Sequence, residues 1–140
     1  EQLDHIILAP EVLQSKSNFS CASDVFSFAL LMWEILCAPN TLLSHFEARY
    51  NTRNIDTLVK HVRIHHYRPK IPPNTPFALK ELVLSMWNFF PQQRPSMREI
   101  LKTLYTLIER IEKTHISSTT TSRRAKKRQR TQKEISSGYQ

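Results

Sequence analysis

With 140 residues, of which 40% are hydrophobic and 23% charged, the chain has the size and composition of one small globular domain with a tail, which excludes a fibrous or fully disordered protein. Its single glycine, Gly138, excludes a glycine-rich phosphate-binding loop. Residues 115–140 carry seven Lys or Arg against one acid, and residues 1–114 carry 13 against 11, so most of the net charge of +8 belongs to the tail.

The first helix signal in chain order runs from Ser23 to Cys37. Ser20, Ser23 and Asp24 can accept hydrogen bonds from the free amides at its start, and Pro39 marks its end. Apolar residues occupy every face of this segment: Val25, Phe26, Phe28, Ala29, Leu30, Leu31, Met32, Trp33, Ile35 and Leu36. Because a helix that is apolar all round is buried all round, we predict a central helix enclosed by the rest of the fold.

A second, amphipathic helix follows, with Asn54 as its N-cap. Its apolar residues recur at helical spacing: Ile55, Leu58, Val59 and Val62. Between Tyr67 and Pro76 four prolines exclude a helix and predict an ordered connector.

A third helix is predicted to start with Thr75 as N-cap and Pro76 at the first helical position, and to stop before Pro91. The apolar residues of this helix again follow one face: Leu79, Leu82, Val83, Met86 and Trp87.

A fourth helix is predicted from the capping box of Ser96 and Glu99 to about residue 113. Its apolar stripe consists of Ile100, Leu101, Leu104, Leu107, Ile108 and Ile111. Residues 114–140 contain too few apolar side chains to offset their ordering entropy, so we predict a disordered basic tail there. The predicted fold is therefore mainly α-helical, with three helices packed around the central one.

The sequence contains no signal-peptide pattern and no apolar stretch long enough to span a bilayer. Cys21 and Cys37 lack the close pairing of a zinc site and are predicted to be small buried residues in a reducing compartment. We therefore expect a cytoplasmic protein.

The order of several short motifs carries more information than any one of them. They are Ala9-Pro10-Glu11, Ser23-Asp24-Val25-Phe26-Ser27-Phe28-Ala29, Met32-Trp33-Glu34-Ile35-Leu36, Tyr67-Arg68-Pro69-Lys70-Ile71-Pro72, Met86-Trp87 and Pro91-Gln92-Gln93-Arg94-Pro95-Ser96. In this order and spacing they resemble the C-terminal lobe of a eukaryotic protein kinase domain, most closely in the tyrosine-kinase and tyrosine-kinase-like groups. The resemblance assigns residues 1–113 to that lobe, from the end of the activation segment onward, and leaves 114–140 as the tail.

The resemblance implies structural roles for three residues. Glu11 corresponds to the acid that ends the activation segment and pairs with the arginine at Arg94, and Asp24 to the acid that accepts hydrogen bonds from the catalytic-loop backbone. Without the resemblance, Glu11 and Arg94 would be two unrelated surface charges and Asp24 a first-turn acid favoured by the helix dipole. The catalytic-loop partner of Asp24 is absent from the chain, which predicts uncovered apolar surface and poor solubility.

The resemblance also places a substrate-facing loop at the N-terminus: Ile6, Ile7, Leu8, Ala9 and Pro10. Leu3 and Asp4 stand where family members often have Gly-Thr, and this departure favours a pseudokinase.

The chain has no glycine-rich loop, no Val-Ala-x-Lys strand, no His-Arg-Asp loop and no Asp-Phe-Gly. Phosphoryl transfer in kinases requires these motifs. We therefore predict no catalytic, cofactor-binding or metal-binding residue in this chain, and expect ATP and Mg²⁺ only in a full-length parent that phosphorylates protein Ser, Thr or Tyr. The alternative is a non-catalytic, pseudokinase-type module that binds another protein.

The tail contains a cluster of bases: Arg123, Arg124, Lys126, Lys127, Arg128 and Arg130. This cluster resembles a nuclear-import signal that an import receptor would bind, and a solvated tail without a dedicated partner is equally open. A third hypothesis makes the tail a nucleic-acid binder, but no aromatic residue alternates with these bases to stack on single strands, which argues against it. The expected partner is a protein.

Overall fold

The structure, a computed structural model, describes residues 8–114. Its helices are α1 (Pro10–Gln14), α2 (Cys21–Cys37), α3 (Leu42–Tyr50), α4 (Ile55–Ile64), α5 (Phe77–Met86) and α6 (97–114), with 3₁₀ turns at Lys16–Asn18 and Pro91–Gln93. No β-strand occurs within these residues, which confirms the prediction of a mainly α-helical fold.

The central helix α2 starts with a reciprocal pair of cap hydrogen bonds. The Ser23 amide donates to the hydroxyl oxygen of Ser20 at 3.2 Å, and the Ser20 amide donates to that of Ser23 at 2.9 Å. Its inner face is buried and packs against α5. The side chains of this face are Ser23, Val25, Phe26, Ala29, Leu30 and Trp33. At the far end the Trp33 indole N–H donates to the Lys70 carbonyl at 2.9 Å, which fixes the connector against α2.

The outer face of α2 differs from the prediction. Asp24 is exposed, and Leu31 and Ile35 expose 51% and 68% of their surface. These three residues lie seven and four positions apart, on one side of the helix. The prediction of enclosure on every side therefore holds only for the inner face, because an apolar pattern shows that a face needs cover but not which polypeptide supplies it.

Helix α3 is an element that the sequence analysis did not predict. It begins at a capping box in which the Thr41 amide donates to the Ser44 hydroxyl at 2.9 Å and the Ser44 amide donates to Thr41 at 3.3 Å. Leu42 and Phe46, one helical turn apart, are its buried residues. It ends at Asn51, whose left-handed backbone (φ 52°) is a conformation that asparagine tolerates better than most residues.

Helix α4 confirms the second predicted helix. The Thr57 amide donates to the Asn54 side-chain oxygen at 2.9 Å, as an N-cap requires, and Leu58 and Val62 are buried.

Helix α5 confirms the third predicted helix but not its cap. The helix begins at Phe77, and Pro76 takes the N-cap position in an extended conformation. Thr75 instead closes a turn, in which its amide donates to the Pro72 carbonyl at 3.1 Å. The prediction of Thr75 as N-cap was therefore wrong, because the first helical hydrogen bond, from the Lys80 amide, goes to the Pro76 carbonyl at 2.9 Å.

Helix α6 begins at the predicted capping box. The Ser96 amide donates to a Glu99 carboxylate oxygen at 2.7 Å, and the Glu99 amide donates to the Ser96 hydroxyl at 3.4 Å. The Ser96 hydroxyl also donates to this carboxylate at 2.7 Å, and this bond, followed by the one from the Ser96 amide, lowers the pKa of the Glu99 carboxyl.

The predicted stripe of α6 is buried only at its first residue, Ile100. The chain divides into two compact units between Thr103 and Leu104, so α6 belongs to both. In the first unit Leu101 is 53% exposed, and in the second Ile108 and Ile111 are about half exposed, at 50% and 53%. The stripe is therefore mostly uncovered among the described residues.

An aromatic cluster joins α3, α4 and the connector after α4. The Phe46 ring contacts those of Tyr50, His61 and Tyr67, with centroids 4.6–5.3 Å apart. The ring Nδ1 of His45 lies 2.9 Å from the Tyr67 hydroxyl oxygen. Burial, and then the charges of Arg49 and Lys70, lower the pKa of His45, and burial raises the pKa of Tyr67 to about 12. His45 is therefore held as a neutral hydrogen-bonding partner.

Both cysteines are free thiols, and neither is fully buried. Cys21 is exposed and Cys37 half-buried, so the prediction that both are buried was wrong. Cys21 is the first residue of α2 and does not belong to its buried inner face.

Among residues 8–114, no single helix is long and apolar enough to cross a membrane. The pair α2 and α3 reaches the required length and composition only together, with a bend of 77° between them.

Candidate functional site

The most highly connected side chain that the structure describes is that of Arg94, which is completely buried. Its Nε donates to the Asn88 carbonyl at 2.8 Å. Nη1 donates to Glu11 Oε1 at 2.6 Å and to the Ala22 carbonyl at 2.8 Å, and Nη2 donates to Glu11 Oε2 at 2.9 Å and to the Phe89 carbonyl at 3.2 Å. All five N–H groups of the guanidinium are thus used. We call these five residues the Arg94 junction.

Glu11 reaches this position because α1 begins directly before it. Pro10 supplies a fixed φ at the helix start, and both Ala9 and Pro10 are buried, so the first turn of α1 is anchored on the fold. The Glu11 side chain is only 16% exposed and accepts two parallel hydrogen bonds. A bidentate contact of this kind is the strongest geometry for an arginine and a carboxylate.

A second arginine, Arg68, supports the same region from the connector. Its Nε donates to the Trp87 carbonyl at 2.9 Å, and its Nη1 donates to the Tyr67 carbonyl at 2.7 Å. The guanidinium groups of Arg68 and Arg94 lie 4.6 Å and 5.0 Å from the Phe26 ring centroid on α2. Together the two arginines bind the carbonyls of three consecutive residues after α5, at positions 87–89.

The electrostatics of this region are unbalanced, since two guanidinium groups share one carboxylate. Burial, and then the charge of Arg94, lower the pKa of Arg68 to about 10, and Glu11 opposes that shift. Arg68 therefore remains protonated at neutral pH, and its contacts with backbone carbonyls compensate for the missing second acid.

The chemistry of the Arg94 junction is that of a structural fastening. Arginine does not release a proton at physiological pH, and both oxygens of Glu11 already accept from it. The junction holds α1, the start of α2 and the segment before α6 together over a sequence separation of 83 residues.

Of the site residues that the sequence predicted, Glu11 and Arg94 meet at the Arg94 junction, but not all of the others lie there. Asp24 lies on the exposed outer face of α2, and its side chain has no hydrogen-bond partner within the described part of the chain. Leu8 is half-buried beside the buried Ala9 and Pro10. Ile6, Ile7 and the tail bases at 123–130 lie outside the described residues, and the substrate-facing role of 6–10 stays a prediction.

Sequence reasoning gave no role to Arg68 or Phe26, although both stand in motifs that it singled out. Arg68 stands between Tyr67 and Pro69, which the structure shows to be buried, so the internal engagement of its charge is evident from the fold and not from the sequence. Phe26 was predicted as a core residue, but its contact with the guanidinium groups of Arg68 and Arg94 could not be predicted from the sequence.

Comparison with known proteins gives a consistent result. Residues 2–104 match the sequence model of the family described as "Protein tyrosine and serine/threonine kinase". The chain is similar to the dual specificity protein kinase shkC of Dictyostelium discoideum, with 33% identity over 99 residues. It is also similar to the probable serine/threonine-protein kinase drkC and the dual specificity protein kinase shkA of the same organism, with 36% identity over 96 residues and 35% over 101.

These alignments cover 71%, 69% and 72% of this chain but only 18%, 12% and 18% of shkC, drkC and shkA. The chain therefore spans less than a fifth of the length of these curated relatives.

Proposed function

The chain belongs to the protein tyrosine and serine/threonine kinase family, and we propose that it forms the C-terminal helical lobe of a kinase domain whose full-length parent transfers the γ-phosphate of ATP to protein Ser, Thr or Tyr. The observation that carries the proposal is the Arg94 junction. It joins the two residues that the kinase resemblance pairs, Glu11 and Arg94, through a saturated and buried contact. Its task in this proposal is to hold the segment around Ala9 and Pro10 in place, so that residues 6–10 face the substrate.

We propose further that the 140 residues alone do not transfer phosphate. Kinase chemistry requires a lysine on the phosphates, an aspartate that receives the substrate proton, and an Asp and Asn that hold Mg²⁺. The motifs that carry these residues are absent from the sequence, so ATP and Mg²⁺ would bind to other parts of the parent.

The outer face of α2 supports this division of labour. Leu31 and Ile35 are apolar and exposed, and Asp24 stands on the same side. An exposed apolar stripe that ends in a carboxylate suits packing against another stretch of polypeptide that offers apolar side chains and backbone amides. In the proposed parent that stretch is the catalytic loop.

The alternative function is a pseudokinase-type module that binds another protein without catalysis. The departure at Leu3 and Asp4 favours it, because the residues that often occupy these positions in the family include a threonine that helps to organise the catalytic site. The same outer face of α2 would then accept a protein partner.

Two polypeptides separate these functions: the 140-residue chain and the longest product that its gene encodes. Both are incubated with Mg·ATP and a mixture of Ser-, Thr- and Tyr-containing peptides. We expect no phosphate incorporation and no Mg²⁺-dependent thermal stabilisation by ATP for the 140-residue chain, and incorporation for the longer product.

Robust Mg²⁺-dependent stabilisation of the 140 residues by ATP would contradict the proposal that the nucleotide site lies elsewhere. A longer product that folds but transfers no phosphate would favour the interaction module. In an active longer product, Glu11→Ala should lower activity and stability together, whereas Arg98→Ala, a change at an exposed residue of α6, should leave both unchanged.

For the tail we propose nuclear import through its basic cluster at 123–130. A fluorescent protein fused to residues 115–140 should accumulate in the nucleus, and replacement of the six bases by alanine should distribute it evenly. Even distribution of the unaltered fusion would leave the tail a solvated segment and the protein cytoplasmic.

A further inference from the structure

Helix α4 and the residues after it are rich in basic side chains, although α4 itself includes one acid, Asp56. Residues 57–80 contain five Lys or Arg and three His but no acid. Arg68 points into the fold, whereas Lys60, Arg63, His65 and His66 are exposed. We call the surface formed by Lys60, Arg63, Ile64, His65 and His66 the α4 basic face.

Helical spacing places the centre of this face on one side of α4. Lys60 lies three positions before Arg63 and four before Ile64, so these side chains are neighbours on the helix surface. Leu58 and Val62 turn to the opposite, buried side. Ile64 is 51% exposed, which leaves an apolar side chain in the middle of the cations.

The charges of this face are not neutralised within the described part of the chain. No ion pair there involves Lys60 or Arg63, although Asp56 precedes Lys60 by one helical turn. Glu47 is paired with Arg53 at 2.6 Å, and Asp56, in the first turn of α4, is the one acid of that helix and offsets part of the charge of Lys60. The face therefore keeps a net positive charge, from Lys60 and Arg63 against Asp56, that attracts an external anion.

The end of α4 is held in one conformation. His66 has a left-handed backbone, with φ 51°, a conformation that few residues other than Gly adopt and that His adopts more often than most of them. Its ring stacks on Phe89 with centroids 3.9 Å apart and planes inclined by 15°. The Tyr67 amide donates to the His61 carbonyl at 3.0 Å. Because the Phe89 carbonyl accepts from Arg94, the basic face is anchored on the Arg94 junction.

We propose that the α4 basic face is a docking site for an acidic segment of a protein that the kinase domain binds, with carboxylates on Lys60 and Arg63 and an apolar side chain on Ile64. This inference rests on the proposed function, since it names the chemistry of the protein partner. The exposed Ile64 favours a peptide over a nucleic acid, because a phosphate backbone offers no apolar group to cover it.

The test uses the whole 140-residue chain in which the six tail bases at 123–130 are replaced by glutamine, so that the tail cannot capture the probe. The probe is a fluorescein-labelled 15-residue peptide of glutamates with a leucine at every fourth position. Binding is measured by fluorescence polarisation at 50 and 150 mM NaCl. We expect saturable binding that weakens as salt rises.

The decisive variants are Lys60→Glu with Arg63→Glu, and Ile64→Ser. Because these side chains are exposed, the thermal midpoint should not change. The charge reversal should weaken binding by roughly tenfold or more, and Ile64→Ser by roughly threefold to tenfold. The matched control, Lys80→Glu, changes an exposed lysine on α5 in the same acid-free segment and should alter binding by less than about twofold.

Lys80→Glu reverses one charge and the double variant two, so equal weakening per reversed charge would show attraction by net charge alone and overturn the proposal. Tighter binding of a 15-nucleotide single-stranded RNA than of the peptide, lost in the same double variant, would assign the face to nucleic acid instead. The assay contains no ATP, so its outcome is independent of catalysis. Absent peptide binding in a chain whose longer product phosphorylates peptides would refute the docking site and leave the proposed function standing.

Discussion

The two faces of α2 are similar in composition and different in surroundings. On the inner face Phe26 and Trp33 are fully buried, and the guanidinium of Arg94 lies over the Phe26 ring. On the outer face Leu31 and Ile35 are exposed. A helix that is apolar on all sides needs packing partners on both faces, and residues 8–114 supply them for the inner face only. Stability should therefore depend on the inner face, and association with further polypeptide on the outer one.

The largest expected effect on the free energy of unfolding comes from substitutions in the Arg94 junction. Glu11→Ala strands a buried guanidinium without its carboxylate, so the free energy of unfolding should fall by about 3–5 kcal/mol. Urea denaturation followed by circular dichroism measures it. Arg94→Lys should also be strongly destabilising, since a lysine keeps the charge but cannot reproduce five N–H donors in a planar fork.

The control for that prediction is the exposed pair of Arg53 and Glu47, which has a similar distance of 2.6 Å but lies in solvent. Arg53→Ala should change the free energy of unfolding by about 0–1 kcal/mol. Equal effects of Glu11→Ala and Arg53→Ala would mean that burial of the junction contributes nothing.

The next prediction compares two consecutive leucines that lie on different faces of α2. Leu30 is 2% exposed and Leu31 is 51% exposed. Leu30→Ala should cost about 2–5 kcal/mol, because it removes buried contacts and leaves a cavity. Leu31→Ala should cost less than about 1 kcal/mol in the isolated chain.

The same pair sharpens the comparison in a longer product of the gene. If the outer face of α2 is covered there, the cost of Leu31→Ala should rise toward that of Leu30→Ala. An unchanged small cost in the longer product would show that the stripe stays in solvent.

The smallest effect is a dependence of stability on pH at His45. Burial, and then Arg49 and Lys70, lower the pKa of His45 below its value of 6.5, so the unfolded chain takes up a proton more readily than the folded one. This contribution to stability is present above pH 6.5 and is lost as the pH falls through the lowered folded pKa. The thermal midpoint should therefore decrease as the pH falls from 6.5 to the lowered folded pKa, and His45→Gln should reduce the slope in that range. A steeper slope in the variant would contradict this assignment.

The sequence predicted the parts of the fold that local chemistry decides. Asn54 caps α4 and the Ser96 and Glu99 pair starts α6, because both signals act within one helical turn. Helix α3 was missed because only Leu42 and Phe46 mark its buried side, although the capping box of Thr41 and Ser44 was a usable signal.

The features that depend on distant contacts were predicted less well. Local patterns cannot show whether Leu31 or Leu101 meets a partner, so the cover of α2 and of α6 was overestimated. The pairing of Glu11 with Arg94 came from resemblance and not from spacing, since the two residues are 83 positions apart. The role of Arg68 arises from carbonyl groups whose positions only the folded chain defines.

A double-mutant cycle on Glu11 and Arg94 tests most directly whether one buried contact fastens the inner side of the molecule. The free energies of unfolding of Glu11→Ala, Arg94→Ala and the double variant give the coupling between the two side chains. We predict a coupling of about 2–3 kcal/mol, because the double variant leaves no unpaired buried charge. A coupling below about 0.5 kcal/mol, with additive single effects, would contradict the account.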